Sequence, residues 1–173
     1  LDTLRLCPLV ADDAADLLAF ELANRAWFER WVVPRDPSFY HLAAVQAAAS
    51  AAQWERAAGT SYQYLLRRGD AIVGRVNLTG VTRPAFNKAA LGYRIGEDQA
   101  GQGIATRAVA LVLQEAFGPL GLWRLEANAR PENVASVRVL ERNGFRQCGR
   151  LTRSMQHDGA WFDQLLFERH ADG

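Results

Sequence analysis

Lysine is almost missing from this chain: Lys88 is the only one among 20 basic residues, and 19 acidic residues leave a formal charge of only +1 at pH 7. Without a field of one sign, nothing holds a nucleic-acid backbone or an anionic lipid surface by charge alone. Nucleic acid and membrane are therefore not expected as partners. The replacement of Lys by Arg is a compositional bias of the kind a GC-rich genome produces, not a functional signature. Cysteine is confined to Cys7 and Cys148, far apart and without histidines at ligand spacing, so neither a disulfide framework nor a metal site is expected. No apolar run approaches the roughly 20 residues that span a bilayer. Leu1 to Arg5 has neither the basic flank nor the apolar stretch of a signal peptide. The expectation is a reducing, cytoplasmic setting, with the protein as monomer or homodimer.

What is present suits an ordinary globular domain. A chain of 173 residues, 49% hydrophobic and 23% charged, can bury one core, so residues 1–173 are read as one domain. Thr3 to Leu6 alternates before Pro8 and predicts a short first strand. From Asp12 the apolar positions Ala15, Leu18, Ala19 and Leu22 fall at helical spacing, with Asp12 or Asp13 at the start. The segment from Asn24 to Tyr40 collects Trp27, Phe28, Trp31, Phe39 and Tyr40 around Pro34 and Pro37, which predicts an irregular aromatic wall. An Ala-rich helix follows from His41 to Ala58, stopped by Gly59.

The second half changes period. Tyr62–Leu66 and Ile72–Leu78 predict a hairpin, and Ala89–Ile95 a third strand. A helix through Ala105, Val109, Val112 and Ala116 comes next, then a strand at Trp123–Ala127. A helix from Asn133 to Arg142 stops at Asn143-Gly144, and two strands flank His157-Asp158-Gly159. One crossover unit among hairpins predicts an α+β fold around a mostly antiparallel sheet. His41 and His157 lack a catalytic partner pattern and are read as surface residues.

Gly101-Gln102-Gly103-Ile104-Ala105-Thr106 lies between a predicted strand and the start of an apolar-faced helix. Glycine there allows a positive φ and close approach of a ligand, and the free amides of a helix start favour a phosphate. The same glycines would also serve a plain strand-to-helix turn. A dinucleotide fold is a third reading, since Glu126 falls where a ribose-binding acid would stand. Against it, Thr106 replaces the third glycine and hairpins interrupt the βαβ order.

Three segments together resemble the acetyl-CoA-binding core of the GNAT acyltransferases: Gly92-Tyr93-Arg94-Ile95, Gly101 to Thr106, and Pro131 through Asn133, Ser136, Leu140 and Asn143 to Phe145. Within that superfamily the chain is similar to the RimJ/RimL-type ribosomal-protein N-terminal acetyltransferases, through Asn24–Trp31–Pro34-Arg35-Asp36 and Asp158 to Asp163. The resemblance implies a twisted, mostly antiparallel sheet flanked by about four helices, with a splayed strand pair as the cofactor groove. It implies acetyl-CoA as cofactor, with the edge of Tyr93 and Ile95 beside the pantetheine arm. Gly101, Gln102, Gly103, Ile104, Ala105 and Thr106 would hold the pyrophosphate, and Asn133, Ser136 and Arg138 would line the other side. One departure is Ala100, where the superfamily usually has Gln or Arg.

Acetyl transfer to an amine needs a group to take the amine's proton, a donor for the oxyanion and a proton for the leaving thiolate. Glu126 is the candidate base, or else a strand-end carboxylate paired with Arg124 or Arg94. A backbone amide near Ile95 is the candidate oxyanion donor. The superfamily's thiolate-protonating tyrosine is Leu140 here, which leaves Ser136 as the candidate donor. Trp27, Phe28, Trp31 and Tyr93 could wall an acceptor groove, with Asn77 as its polar contact. The resulting expectation is an N-acetyltransferase acting on a protein N-terminal α-amine in a ternary complex. A small-amine acetyltransferase and a non-catalytic acyl-CoA-binding protein remain open.

Overall fold

The computed structural model describes residues 3–172. Seven strands form one sheet: β1 (Leu4–Pro8), β2 (Tyr62–Arg68), β3 (Ala71–Thr82), β4 (Lys88–Ile95), β5 (Arg124–Ala129), β6 (Arg146–His157) and β7 (Ala160–His170). Their spatial order is β1-β2-β3-β4-β5-β7-β6. Every pairing is antiparallel except that of β4 with β5. The helices are α1 (Ala14–Ala23), the single turn α2 (Arg25–Phe28), α3 (Leu42–Ala58), α4 (Ile104–Phe117) and α5 (Val134–Arg142).

The predicted order of elements is present. The aromatic segment, expected to be irregular, winds into α2 and a short 3-10 turn at Pro37–Phe39, which makes five helices rather than about four. Pro8 closes β1 as its last residue instead of following it, tolerated because β1 is an edge strand. Asp13 rather than Asp12 sets the start of the first helical stretch, its Oδ2 accepting from the Val10 amide at 3.0 Å. Gly59 and Gly144 end α3 and α5 with φ of 71° and 76°, the left-handed stop that only glycine adopts cheaply.

The sheet packs helices on both faces. One face buries Val76, Leu78, Leu91, Leu125, Ala127 and Phe167 against α4 and α5, through Ala108, Val109, Val112 and Leu140. The other carries Leu65 against α1 and α3, through Leu17, Phe20, Val45, Ala49 and Ala52.

The feature that positions a site is the short contact between the two parallel strands. β4 and β5 pair only at Lys88↔Arg124, Ala89↔Leu125 and Ala90↔Glu126. Beyond that rung, β4 follows β3 up to Ile95 while β5 follows β7 up to Ala129. The two strands diverge and leave a V-shaped notch in the middle of the sheet.

Leu125, fully buried at the last common rungs, is the core residue on which this geometry rests. Leu125→Ala should lower the unfolding free energy by about 2–5 kcal/mol, read by chemical denaturation. A loss well under 1 kcal/mol would mean that the core is not closed at that point.

Candidate active site

The notch exposes backbone of β4. The Gly96 amide donates to the Val73 carbonyl of β3 at 3.0 Å, so by the alternation of a strand the amides of Ile95 and Tyr93 point the other way, toward β5. They are ladder donors without a ladder. The Ile95 carbonyl, directed the same way, is taken by the indole N–H of Trp27 at 3.1 Å. A ligand lying in the notch thus meets two donors on β4, with the last acceptor already capped.

Just past Ile95 the chain reaches the glycine loop. Gly101 and Gly103 have φ of 75° and 74°, and a Cβ on either would meet nothing within 4 Å. Close packing does not demand glycine there, so the positive φ and the open space beside the backbone are what it provides. α4 begins at Ile104, and its first amides have no intrahelical acceptor. Gln102 folds back onto the Asp98 carbonyl at 2.8 Å. The side chain of Asn143, which follows α5, donates to the Thr106 carbonyl at 3.2 Å, tying the end of α5 to α4. A loop of open glycines leading into a 14-residue helix fits a pyrophosphate on main-chain amides.

On the face covered by α4 and α5, Tyr93 spans the notch. Its hydroxyl lies 2.8 Å from Ser136 Oγ and 3.2 Å from the Ser136 carbonyl oxygen, so its one proton goes to either of them. Asn133 caps α5 by accepting from the Ser136 amide at 3.2 Å. Tyr93, Asn133 and Ser136 therefore meet as one cluster. Arg138 stands apart: it is exposed and, two residues after Ser136, belongs to a different side of the helix. Burial pushes the Tyr93 hydroxyl up to about 12, against a partial lowering by its hydrogen bond to Ser136.

The opposite face holds the other candidates. Asn77 pairs with Gly92, and Ala90 with Glu126, so their side-chain positions share the face covered by α1 and α3. Asn77 Oδ1 is buried without a hydrogen-bond partner, and a Cβ on Gly92 would meet nothing within 4 Å. A buried, unpaired acceptor therefore sits beside the open space over Gly92. Glu126, its side chain 35% exposed, holds Lys88 Nζ at 2.9 and 3.0 Å and also Arg124. Lys88 and Arg124 are its partners, and Arg94 is not.

Two readings of side chains are corrected here. Phe28 belongs to the core beneath α1 and α3 rather than to a groove wall, being 7% exposed. His157 is not a surface residue. It is 6% exposed, with Nε2 2.8 Å from the Glu29 carbonyl and Nδ1 3.4 Å from Arg130. Arg130 in turn lies over Trp31 and Phe162. Trp27 thus closes the end of β4, and Trp31, through Arg130, the end of β5. The two tryptophans flank the mouth of the notch.

Sequence reasoning missed a charged cluster on the same face as Asn77. Glu21 of α1 is 1% exposed and meets Arg75, Arg35 and Arg94. Burial lowers the Arg75 guanidinium, against the opposing charge of Glu21, and lowers that of Arg94 to about 10, which leaves Arg94 charged at neutral pH. No local pattern announces the cluster, since Glu21 and Arg75 lie 54 residues apart.

The acetyltransferase (GNAT) domain profile matches residues 3–146. The chain is 31% identical over 166 residues to the probable N-acetyltransferase YjcK of Bacillus subtilis, covering 95% of this chain and 92% of that protein. It is 28% identical over 156 residues to the [ribosomal protein uS5]-alanine N-acetyltransferase of Escherichia coli, covering 89% and 80%. Among solved structures, Mycobacterium smegmatis RimJ in complex with CoA-disulfide superposes with a TM-score of 0.90 at 32% identity, covering 98% of this chain and 82% of that one.

The Tyr93 contact has a signature in pH. An unfolded tyrosine releases its proton near 10, whereas the folded chain holds that of Tyr93 to about 12. Its contribution to stability is therefore complete below pH 10 and lost as the pH climbs toward 12. Tyr93→Phe should flatten that alkaline limb in denaturation series across the range, and an unchanged slope would mean the phenol is open to water.

Proposed function

The chain belongs to the GNAT acetyltransferase family and is an N-acetyltransferase, and on that premise we propose that it acetylates protein N-terminal α-amines from acetyl-CoA, in the cytoplasm, with residues 1–173 acting as one catalytic domain. The observation that carries this reading is the notch between β4 and β5, with free amides on one edge and an open glycine loop at its end. Relatives named for ribosomal-protein alanine acetylation and a RimJ structure holding CoA-disulfide support it.

Acetyl-CoA, when bound, supplies a thioester carbonyl for direct attack by the amine. The chain's own groups divide the remaining work. The amides of Gly101 to Thr106 receive the pyrophosphate, and those of Tyr93 and Ile95 bind the cofactor arm like an added strand, the Ile95 amide serving the oxyanion. Asn133 fixes the start of α5 and with it Ser136. Arg138, on the outer side of that helix, is left for the solvent-facing part of the cofactor.

Ser136 passes a proton to the leaving thiolate and is reprotonated by the Tyr93 hydroxyl beside it, which regains its own from water. The 2.8 Å contact lets Tyr93 donate to Ser136 Oγ, which turns the serine's own proton outward, and a phenol protonated up to about 12 keeps that direction at physiological pH. On the other face, Glu126 accepts the amine's proton through a chain of waters, its rung lying five residues of β4 (about 16 Å) from the Ile95 amide, with Lys88 and Arg124 fixing the carboxylate in place. Asn77 Oδ1 accepts a hydrogen bond from the same amine, and Trp27 and Trp31 wall its approach.

The experiment is acetyl transfer followed by mass spectrometry, offering short peptides with free N-termini beside spermidine, free amino acids and aminoglycosides. Peptide N-termini should gain 42 Da (roughly the mass of one acetyl group replacing a proton) at least about tenfold faster than any small amine, a margin typical of one recognition contact. Faster transfer to a small amine would overturn the acceptor assignment, and acetyl-CoA binding without transfer to anything would indicate a non-catalytic protein. Glu126→Gln should reduce kcat by about 10²-fold or more while leaving KM for acetyl-CoA near its wild-type value. Retained turnover with lowered stability would make Glu126 a structural partner of Lys88.

A further inference from the structure

The cluster around Glu21 has more positive charge than its own fold requires. Arg75 Nη1 donates to Glu21 Oε1 at 2.7 Å, a full charge-assisted hydrogen bond between side chains 6% and 1% exposed. Arg35 and Arg94 approach the same carboxylate only at 3.4 and 3.5 Å, beyond the usual N–H···O range. Three guanidiniums therefore surround one carboxylate, whose Oε1 is bound closely by Arg75 and whose Oε2 meets Arg94 at long range.

Other acids near these two arginines are engaged elsewhere. Glu29 is bound by Arg25 at 2.9 Å, Asp36 accepts from the Ser38 amide at 2.9 Å, and Glu97 lies 4.0 Å from Arg30. Arg35 and Arg94 rest on aromatic faces instead, 4.3 Å from the Phe39 centroid and 5.1 Å from that of Phe28. Their side chains remain 29% and 26% exposed, in contrast to the sealed Arg75. A guanidinium held flat on a ring, with most of its donors unspent, is preorganised to take a planar anion through two parallel hydrogen bonds.

The cluster also stands in the right place. Arg94 and Arg75 occupy one rung of the β3–β4 ladder, and Gly92 and Asn77 the next on the same face. Arg94 is thus about 7 Å beyond the open floor of the notch and about 13 Å beyond the rung of Ala90 and Glu126. Arg94 adjoins Ile95, whose amide serves the oxyanion, and an extended peptide advances about 3.3–3.6 Å per residue, so an amine reacting there places its second to fourth side chains about 3–11 Å along from Arg94.

We propose that Arg35 and Arg94 form an anion subsite of the acceptor groove, selecting peptide N-termini that carry an acidic side chain at the second to fourth position. The proposal rests on the peptide N-terminal reading above and narrows its substrate class. Arg75 and Glu21 act as the support that holds the pair in place.

The test compares kcat/KM for three peptides identical except for acidic, neutral or basic residues at positions two to four. The wild-type protein should prefer the acidic peptide over the neutral one by about tenfold or more, in keeping with a charge-assisted contact. Arg35→Gln and Arg94→Gln should each compress that ratio toward one, by raising KM for the acidic peptide. Should a variant fail to fold, the wild-type protein alone still decides: its preference must shrink steeply as salt rises from about 0.05 to 0.5 M, since exposed donors are screened. Equal use of all three peptides, or a preference insensitive to salt and to Arg35→Gln, overturns the subsite while leaving N-terminal acetylation standing. Transfer to none of the peptides contradicts both. A faster reaction with a small amine bearing a phosphate or carboxylate would keep the anion contact and reject the peptide.

Discussion

The three-rung contact between β4 and β5 is the constraint on which the rest of the molecule depends. Each strand is held firmly on its outer side, β4 by β3 and β5 by β7, so neither can move to complete the ladder between them. The amides of Tyr93 and Ile95 are consequently unpaired at the centre of a seven-stranded sheet, where a donor without a partner is costly. The remainder of the notch limits that cost. Trp27 satisfies the Ile95 carbonyl, Tyr93 bridges to Ser136, and the glycine loop carries the chain from the end of β4 to the start of α4 without covering the gap.

The two faces of the notch differ in chemistry. Toward α4 and α5 it is apolar apart from the hydroxyl pair and the main-chain donors, an environment that suits a long neutral arm ending in a phosphate group. Toward α1 and α3 it is charged and polar, with Glu126, Asn77 and the arginines around Glu21. A sheet opened in the middle leaves room for one reactant on each face, as the proposed function requires.

Much of the face toward α4 and α5 was legible in the sequence because its signals are local. Gly101 and Gly103, the capping Asn133 and the stop at Asn143-Gly144 each act within a few residues, and their spacing alone predicts a loop and two helix boundaries. The acceptor side was not legible, because it is assembled across the sheet. Glu21 finds Arg75 through the packing of α1 over β3, and Lys88 finds Glu126 only because β4 and β5 happen to be parallel neighbours. His157 illustrates the same limit: a histidine in a polar hairpin turn looks exposed until the turn folds over Glu29 and Arg130. The pairing of Tyr93 with Ser136 likewise needs a strand and a helix brought together from 43 residues apart, although each residue separately lay in a segment that invited attention.

The central claim is that the notch and its glycine loop form a cradle for acetyl-CoA. Calorimetric titration of the protein with acetyl-CoA, and separately with NAD, tests it most directly. The account predicts saturable binding of acetyl-CoA at micromolar concentration and none of NAD. Failure to bind acetyl-CoA would contradict it, leaving the open strands and the glycine loop without a ligand to explain them.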